Sequence, residues 1–145
     1  MSTETLANAE SDVRATVAAW SAAISARDAA KVESHQSPDI EYASLAPPLR
    51  TIGPDRAGTL AWFATWRTLH YDFSDYTVAA QGDLAFCHGV AHMTGTKTDG
   101  YDVDLSFRLT LCLRREAGAW KIVHQHESVP FHMDGSYRAA VELTA

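Results

Sequence analysis

The chain has 145 residues, of which 46% are hydrophobic and 21% charged, and its formal net charge at pH 7 is −6. This length and composition fit a single globular domain with a sizeable core. The acidic balance argues against a nucleic-acid surface, which needs a basic stripe, and no apolar run approaches the ~18 residues of a membrane span. Residues 1–12 lack the basic and apolar regions of a secretion signal, so a cytoplasmic protein without nucleic-acid or membrane partners is expected.

The first part of the chain predicts two helices. Asp28 can cap the N-terminus of a short second helix that ends at about Ser34. A longer helix precedes it, after a frayed segment over residues 1–8, because apolar residues recur at helical spacing on an alanine-rich background: Val13, Val17, Trp20 and Ile24.

A strand and a third helix are predicted next. Residues 39–45 alternate between polar and apolar side chains, as a strand does, and Pro47-Pro48 closes the segment. Pro54 suits the first turn of a helix, which is expected to run to about His70. The apolar residues of this helix cover a wide arc, which indicates burial on more than one side: Leu60, Trp62, Phe63, Trp66 and Leu69.

From Tyr71 onward the hydrophobic period changes from helical to strand-like. Short turns rich in glycine and aspartate separate the apolar runs, which is typical of hairpins. Helices followed by an antiparallel meander make an α+β domain. The predicted strands cover residues 71–80, 84–97, 102–115 and 119–131.

The strand over residues 102–115 has two chemically different faces. Its odd positions from Val103 to Leu113 are all apolar, whereas its even positions are mostly polar and include Asp104, Arg108 and Thr110. A strand places these two sets on opposite sides of the sheet. If the helices cover the apolar face, the polar face is simply solvated. If they cover the polar face, they enclose a polar cavity, and the apolar face needs a partner chain.

The order of elements and several short motifs resemble the nuclear transport factor 2-like superfamily, and its SnoaL-like and ketosteroid-isomerase-like subgroup in particular. The closest likeness is RLTLCLRREAGAWKIVHQHESVP, residues 108–130, which follows the pattern R-x-T, a hairpin ending in G-x-W, then I-V-H-x-H-x-S. Tyr42 with LAPPL, and Gly53 before the third helix, fit the same subgroup. The resemblance implies one SnoaL-like domain over residues 1–145. Its cone-shaped, curved antiparallel sheet would wrap around N-terminal helices in the cystatin-like order α-α-β-α-β-β-β-β.

The resemblance also implies where the two strand faces point. In this family the helices cover the concave sheet face and enclose the pocket, while the other face commonly meets a second subunit. Asp104, Arg108 and Thr110 are therefore expected to look into the cone. The apolar face would then form a homodimer interface through Leu105, Phe107, Leu109 and Leu111.

His124 and His126 form an H-x-H pair that can be interpreted in three ways. On a regular strand the two histidines share a face and could bind one zinc ion, with His88 or His92 as a third ligand. They could also be histidines hydrogen-bonded within a partly buried sheet, or acid–base groups. Since members of the resembling family mostly lack a metal, neither a metal nor another cofactor is expected.

The resulting hypothesis is an acid–base site in a small-molecule pocket. His126 would move a proton, Arg108 would clamp an anionic group, and Tyr42 would donate a hydrogen bond. Glu127 lies opposite His126 by strand parity, so both can reach the pocket only through a β-bulge. Further ligand contacts are predicted for Trp20, Trp62, Trp66, His88, Asp104, Thr110 and Glu127.

The sequence leaves three functions open. The first is cofactor-free isomerase, cyclase, dehydratase or hydratase chemistry on a small organic carbonyl compound or acid. The second is a non-catalytic ligand-binding or oligomerisation module that resembles the calmodulin-dependent kinase II association domain. The third is a metal-dependent hydrolase that uses the H-x-H pair.

Overall fold

The computed structural model describes residues 2–145 as three helices and six strands. α1 begins at Thr3, inside the segment expected to fray, with Ser2 accepting a hydrogen bond from the Thr5 amide as its N-cap. Asp28 caps α2 by accepting from the Lys31 amide, at the predicted position. The helices are α1 Thr3–Ser25, α2 Ala29–Ser34 and α3 Arg56–Phe63. The strands are β1 Gln36–Ala43, β2 Thr51–Ile52, β3 Trp66–Gln81, β4 Leu84–Lys97, β5 Asp102–Glu116 and β6 Ala119–Ser128.

All six strands form one open, curved sheet in the order β2-β1-β6-β5-β4-β3. Every neighbouring pair is antiparallel except β1 with β6. The helices come before the four-strand meander, so the predicted α+β class and the order of elements are confirmed.

α3 is shorter than predicted, because Trp66 already begins β3. The wide apolar arc that suggested one deeply buried helix belongs to two elements. Phe63 is buried at the end of α3, and the strand pattern then buries Trp66, Leu69 and Tyr71. The spacing of these residues fits a helix, and it also fits a strand that is irregular at one position. That irregularity is the shift in register of β3 against β4 between Trp66 and Thr68.

The helices cover the apolar face of the sheet. α1 lies against β3, where the Ser21 hydroxyl donates to the Tyr71 carbonyl over 2.7 Å. On β5, Phe107, Leu109 and Leu111 are at most 2% exposed, and Leu105 packs against the same core. The helices therefore cover the apolar face of β5, whereas they were expected to cover its polar face. We call this covered side the inner face of the sheet and the opposite side the outer face.

Close contact between β3 and β4 depends on two glycines. A Cβ added to Gly89 would lie 2.1 Å from the Asp75 carbonyl oxygen, and one added to Gly95 would lie 2.1 Å from that of Thr68. Both contacts fall beside register shifts of β3 against β4. Glycine thus permits the close backbone approach with which β3 bends around the helices.

Gly89→Ala should lower the free energy of unfolding by about 2–3 kcal/mol, since backbone atoms must move to admit the methyl group. Urea denaturation measures the loss. The matched control is Gly100→Ala, where a Cβ would meet no atom of the described residues within 4 Å apart from its chain neighbours, and only the φ of +91° is unfavourable, so the cost should be about 1 kcal/mol. Equal losses in the two variants would contradict the steric explanation.

Candidate active site

A cavity of about 350 Å³ lies between the inner face of the sheet, the helices and the loop over residues 44–48. Its lining combines five aromatic side chains with aliphatic residues, and its polar groups include side chains of β6 and of the residue that caps α3. Gln125 and Glu127 of β6 contribute an amide and a carboxyl group, and Asp55 contributes a second carboxyl group. The aromatic residues are Trp20, Tyr42, Trp62, Phe63 and Tyr71.

A bulge at Val123 decides which residues of β6 reach the cavity. Ile122 pairs with Leu113 and His124 pairs with the adjacent Cys112, so Val123 has no partner of its own. Before the bulge the even positions face inward, as the buried Ile122 shows. After it the odd positions do, because Gln125 pairs with the buried Leu111. The bulge therefore reverses the parity of the strand.

Glu127 gains its position in the cavity from this reversal. It pairs with Leu109, whose side chain is in the core, and it lines the cavity, whereas the neighbouring His126 pairs with Thr110 on the outer face. A bulge was identified as the condition for Glu127 and His126 to share the pocket. The bulge is present, but it lies at Val123, before both histidines, and it therefore places His124 and His126 on the outer face.

The carboxyl group of Glu127 is poised to exchange a proton near neutral pH. Burial raises the pKa of Glu127 to about 7, against an opposing hydrogen bond from Gln125 that lowers it. The Gln125 Nε2 donates this bond to Glu127 Oε1. Desolvation penalises the charged carboxylate, and in this cavity it outweighs the hydrogen bond that favours that form.

Two tyrosines close to the carboxyl group remain protonated. Burial raises the pKa of Tyr71 well above its ordinary value, and the charge of Glu127 adds to this. The pKa of Tyr42 is raised by burial, and further by Asp55 and Glu127. Both phenols are therefore hydrogen-bond donors at neutral pH rather than acids.

Two buried donors of the cavity-lining residues have no hydrogen-bond partner within residues 2–145. They are the Tyr71 hydroxyl and the Trp20 Nε1–H, on rings that meet edge to face with centroids 5.5 Å apart. A buried donor without a partner costs about 1–3 kcal/mol.

The prediction that Arg108 looks into the cone is wrong. Its pair on β6 is Ser128, and its Nε donates to the Ser128 hydroxyl over 3.0 Å on the exposed outer face. The core needs the large apolar side chains of β5, which leaves Arg108 on the solvated side. Arg108 therefore cannot clamp an anion in this cavity.

Four other predicted site residues also lie outside the cavity. His88 and His126 flank Thr110 across β4, β5 and β6 on the outer face. Asp104 is exposed there and pairs with His92, with Nε2 and Oδ1 2.6 Å apart, rather than with Arg108. Each of these residues lies on the outer side of its strand, as Arg108 does, because the other side of the strand carries the buried core residues.

Trp66 lies in the core rather than in the cavity lining. Its side chain is 2% exposed, and the Lys97 Nζ lies 3.7 Å above the ring. Of the predicted residues, the structure brings four together at the cavity: Trp20, Tyr42, Trp62 and Glu127.

The inner placement of the apolar face also removes the predicted dimer surface. Phe107, Leu109 and Leu111 are covered by the chain's own helices, with Leu105 packed beside them. A second subunit would have to bind elsewhere, so homodimer formation itself stays a prediction.

His124 and His126 lie side by side on the outer face. Their ring centroids are 6.2 Å apart, and His124 Nδ1 is hydrogen-bonded to the Glu41 carbonyl oxygen over 2.9 Å. Within residues 2–145, no three His, Cys, Asp or Glu side chains are grouped closely enough to hold a metal ion.

The family-level comparison identifies the chain as a member of the SnoaL-like domain family. The model of this family matches residues 13–132, from the middle of α1 to beyond β6. The chain therefore belongs to the SnoaL-like family, within the nuclear transport factor 2-like superfamily that its order of elements indicated. No curated protein matches it.

Solved structures of the same fold include proteins described in different functional terms. An NTF2-like protein of unknown function from Pseudomonas putida KT2440 is 25% identical, with a TM-score of 0.85 over 96% of this chain and 98% of that one. A proposed scytalone dehydratase from Novosphingobium aromaticivorans is 19% identical, with a TM-score of 0.74 over 89% of each chain. A proposed ketosteroid isomerase from Shewanella frigidimarina is 23% identical, with a TM-score of 0.65 over 78% of this chain and 91% of that one. The latter two show the fold alone.

Across residues 2–145, none of the helices combines the length and apolar character needed to span a membrane.

The residues of the cavity lining that the sequence did not single out include Tyr71 and Gln125. Tyr71 is one of the alternating apolar residues of β3, and in the sequence it resembles any core aromatic residue. Gln125 lies between His124 and His126, the two histidines for which an acid–base or metal-binding role was considered. Its spacing from Glu127 was the available signal for its place in the site. Residues two positions apart on a strand share a face, and the bulge precedes both Gln125 and Glu127.

Replacing Glu127 should change how stability depends on pH. A raised pKa means that the folded state binds the proton more tightly, so the wild-type protein loses stability as pH rises from the ordinary 4.5 to about 7. Glu127→Gln abolishes this loss, which amounts to at most about 3 kcal/mol. Urea denaturation of both proteins at pH 5, 6, 7 and 8 measures it. Parallel curves for the two proteins would show that Glu127 titrates normally.

Gln125→Leu should raise the pKa of Glu127 above about 7, because it removes the hydrogen bond that stabilises the carboxylate. A carbon-13 NMR titration of the glutamate carboxyl groups would follow the change. Gln81→Leu, at an exposed position at the end of β3, is the matched control and should leave the titration unchanged. An unchanged or lowered Glu127 pKa in Gln125→Leu would contradict the assignment.

Proposed function

We propose that the protein is an enzyme that carries out cofactor-free acid–base chemistry on a small organic carbonyl compound, with Glu127 as the proton carrier. The observation that carries the proposal is a carboxyl group with a pKa of about 7 inside an aromatic cavity. A group with a pKa near the working pH supplies both a base to take a proton and an acid to return it. Isomerisation and dehydration are the reaction types that fit.

The proposed reaction begins with the Glu127 carboxylate taking a proton from the carbon next to a carbonyl group. The electron pair of that C–H bond moves into the carbonyl group and leaves an enolate oxygen. The phenol of Tyr42 is a protonated donor that lines the same cavity, and it would stabilise this oxygen. Glu127 then returns the proton to another carbon, which completes an isomerisation, or to a hydroxyl group that leaves as water, which completes a dehydration.

The relatives are consistent with this class of chemistry without fixing the reaction. Structures with this fold include a proposed dehydratase and a proposed ketosteroid isomerase, as well as a proposed kinase II association domain from Xanthomonas campestris. A non-catalytic module would need no titratable group in its pocket, and Glu127 lines this one. Action in the cytoplasm and assembly as a homodimer stay predictions.

Proton exchange in heavy water gives a direct test that needs no knowledge of the natural substrate. A panel of small cyclic ketones and enones is incubated with the protein, and proton NMR measures deuterium entering next to the carbonyl group. The rate should rise as pH increases through about 7, because the base is the deprotonated form. Glu127→Gln should lower it by at least about 100-fold.

His126→Ala is the matched control for this experiment. The side chain neighbours Glu127 in the sequence but lies on the outer face, so the variant should keep the exchange rate. If no member of the panel exchanges although members bind, the ligand-binding alternative is favoured. If His126→Ala abolishes exchange while Glu127→Gln does not, the assignment of the base is wrong.

A further inference from the structure

Two histidines on the outer face of the sheet take no part in the chemistry proposed for the cavity. His124 and His126 are two positions apart on β6, so their side chains project from the same side of the strand. Their partners on β5 are Cys112 and Thr110, which lie on the outer face. The two ring centroids are 6.2 Å apart. The pair therefore presents two imidazoles at close range, across the sheet from the cavity.

A backbone carbonyl group determines which nitrogen of His124 is free. The His124 Nδ1 lies 2.9 Å from the carbonyl oxygen of Glu41 on β1. A carbonyl oxygen can only accept a hydrogen bond, so Nδ1 carries the proton and Nε2 of the neutral ring keeps its lone pair. Histidines that bind metals are commonly oriented in this way, with the second ring nitrogen donating to a backbone carbonyl. His124 is thus prepared to coordinate an ion through Nε2.

The distance between the two rings is close to that of imidazoles that share one ion. Metal–nitrogen bonds of about 2.0–2.1 Å place the centres of two such rings roughly 5–6 Å apart. The His124 and His126 rings are only slightly farther apart, although they stand nearly perpendicular. His126 is exposed, and exposed side chains change rotamer within nanoseconds, so its ring can turn to meet the free nitrogen of His124.

The pair supplies two ligands rather than a complete coordination shell. Within residues 2–145, no further His, Cys, Asp or Glu side chain lies close enough to make a group of three. Cys112 is paired with His124, but burial raises the pKa of its thiol, which disfavours the thiolate that a metal would bind. An ion held by the two histidines would keep water in its other positions, unlike the closed four-ligand sites of structural zinc.

The donor atoms select the class of ion. Imidazole nitrogen suits Cu²⁺, Ni²⁺ and Zn²⁺, and among these Cu²⁺ binds most tightly, whereas Mg²⁺ and Ca²⁺ prefer oxygen ligands. We propose that His124 and His126 form a two-histidine site for a divalent transition-metal ion on the outer face, with Cu²⁺ as the preferred ion. The site is independent of the proposed function, because it lies across the sheet from Glu127.

Copper(II) iminodiacetate is a suitable probe, because the chelator occupies part of the coordination shell and leaves room for two imidazoles. The protein is used without a histidine tag. Isothermal titration calorimetry at pH 8 measures the affinity, and pulsed electron paramagnetic resonance distinguishes one coordinated imidazole from two. The wild-type protein should bind one complex per chain through two imidazoles. Magnesium ions should not compete, since they prefer oxygen ligands.

Variants assign the binding to the two rings. His124→Asn and His126→Asn each remove one nitrogen ligand, and an asparagine amide at position 124 can still donate to the Glu41 carbonyl. Each variant should lower the affinity at least about tenfold, because the second contact of a chelate is intramolecular. Circular dichroism and thermal unfolding check that both fold. His92→Asn is the matched control: His92 is also on the outer face, where it pairs with Asp104, and its loss should leave copper binding unchanged.

The possible results separate this inference from the proposed function and from its rivals. Glu127→Gln should abolish proton exchange yet bind copper as the wild-type protein does. An unchanged affinity in His124→Asn or in His126→Asn would overturn the inference, as would a single coordinated imidazole or no binding in the wild-type protein. So would a loss in His88→Asn as large as that in His126→Asn, since it would move the site to the pair that flanks Thr110.

Discussion

The site depends on one unpaired residue in the last strand of the sheet. Val123 has no partner on β5, and this single irregularity lets the strand bury Ile122 before it and Gln125 after it. The same strand thus fills the core near one end and supplies the cavity with a carboxyl group near the other. A regular strand in phase with Ile122 would have placed the two histidines inward and Glu127 in solvent.

The chemistry of the cavity follows from what surrounds that carboxyl group. Aromatic rings and the sheet exclude much of the water that would stabilise its charge, and the described residues that line the cavity include no lysine, arginine or histidine. The hydrogen bond from the Gln125 amide offsets only part of the lost solvation. The pKa of Glu127 therefore stays at about 7, so the carboxyl group is about half ionised at neutral pH. Placing Arg108 in the cavity would have produced the opposite result, a permanently ionised carboxylate.

The sequence predicted the architecture because each element has a local signature. Asp28 is followed by a helix and caps it, and alternation along β5 identifies a strand whichever face is buried. It failed where the answer depends on tertiary packing. Alternation does not say which face the helices cover, and a bulge leaves no mark in the pattern W-K-I-V-H-Q-H-E. Both the choice of the covered face and the missed bulge assigned side chains to the wrong side of the sheet. Arg108 and His126 were therefore predicted in the cavity in place of Tyr71 and Gln125.

The enclosure of Glu127 ties ligand binding to the proton balance of the solution. A ligand that displaces the remaining water from the cavity, without donating to the carboxylate, further disfavours the ionised form. Near pH 7, where about half of the molecules are ionised, each such binding event draws a fraction of a proton from the buffer. The observed heat of binding would then vary with the ionisation enthalpy of the buffer, and the affinity would weaken as the solution becomes more alkaline.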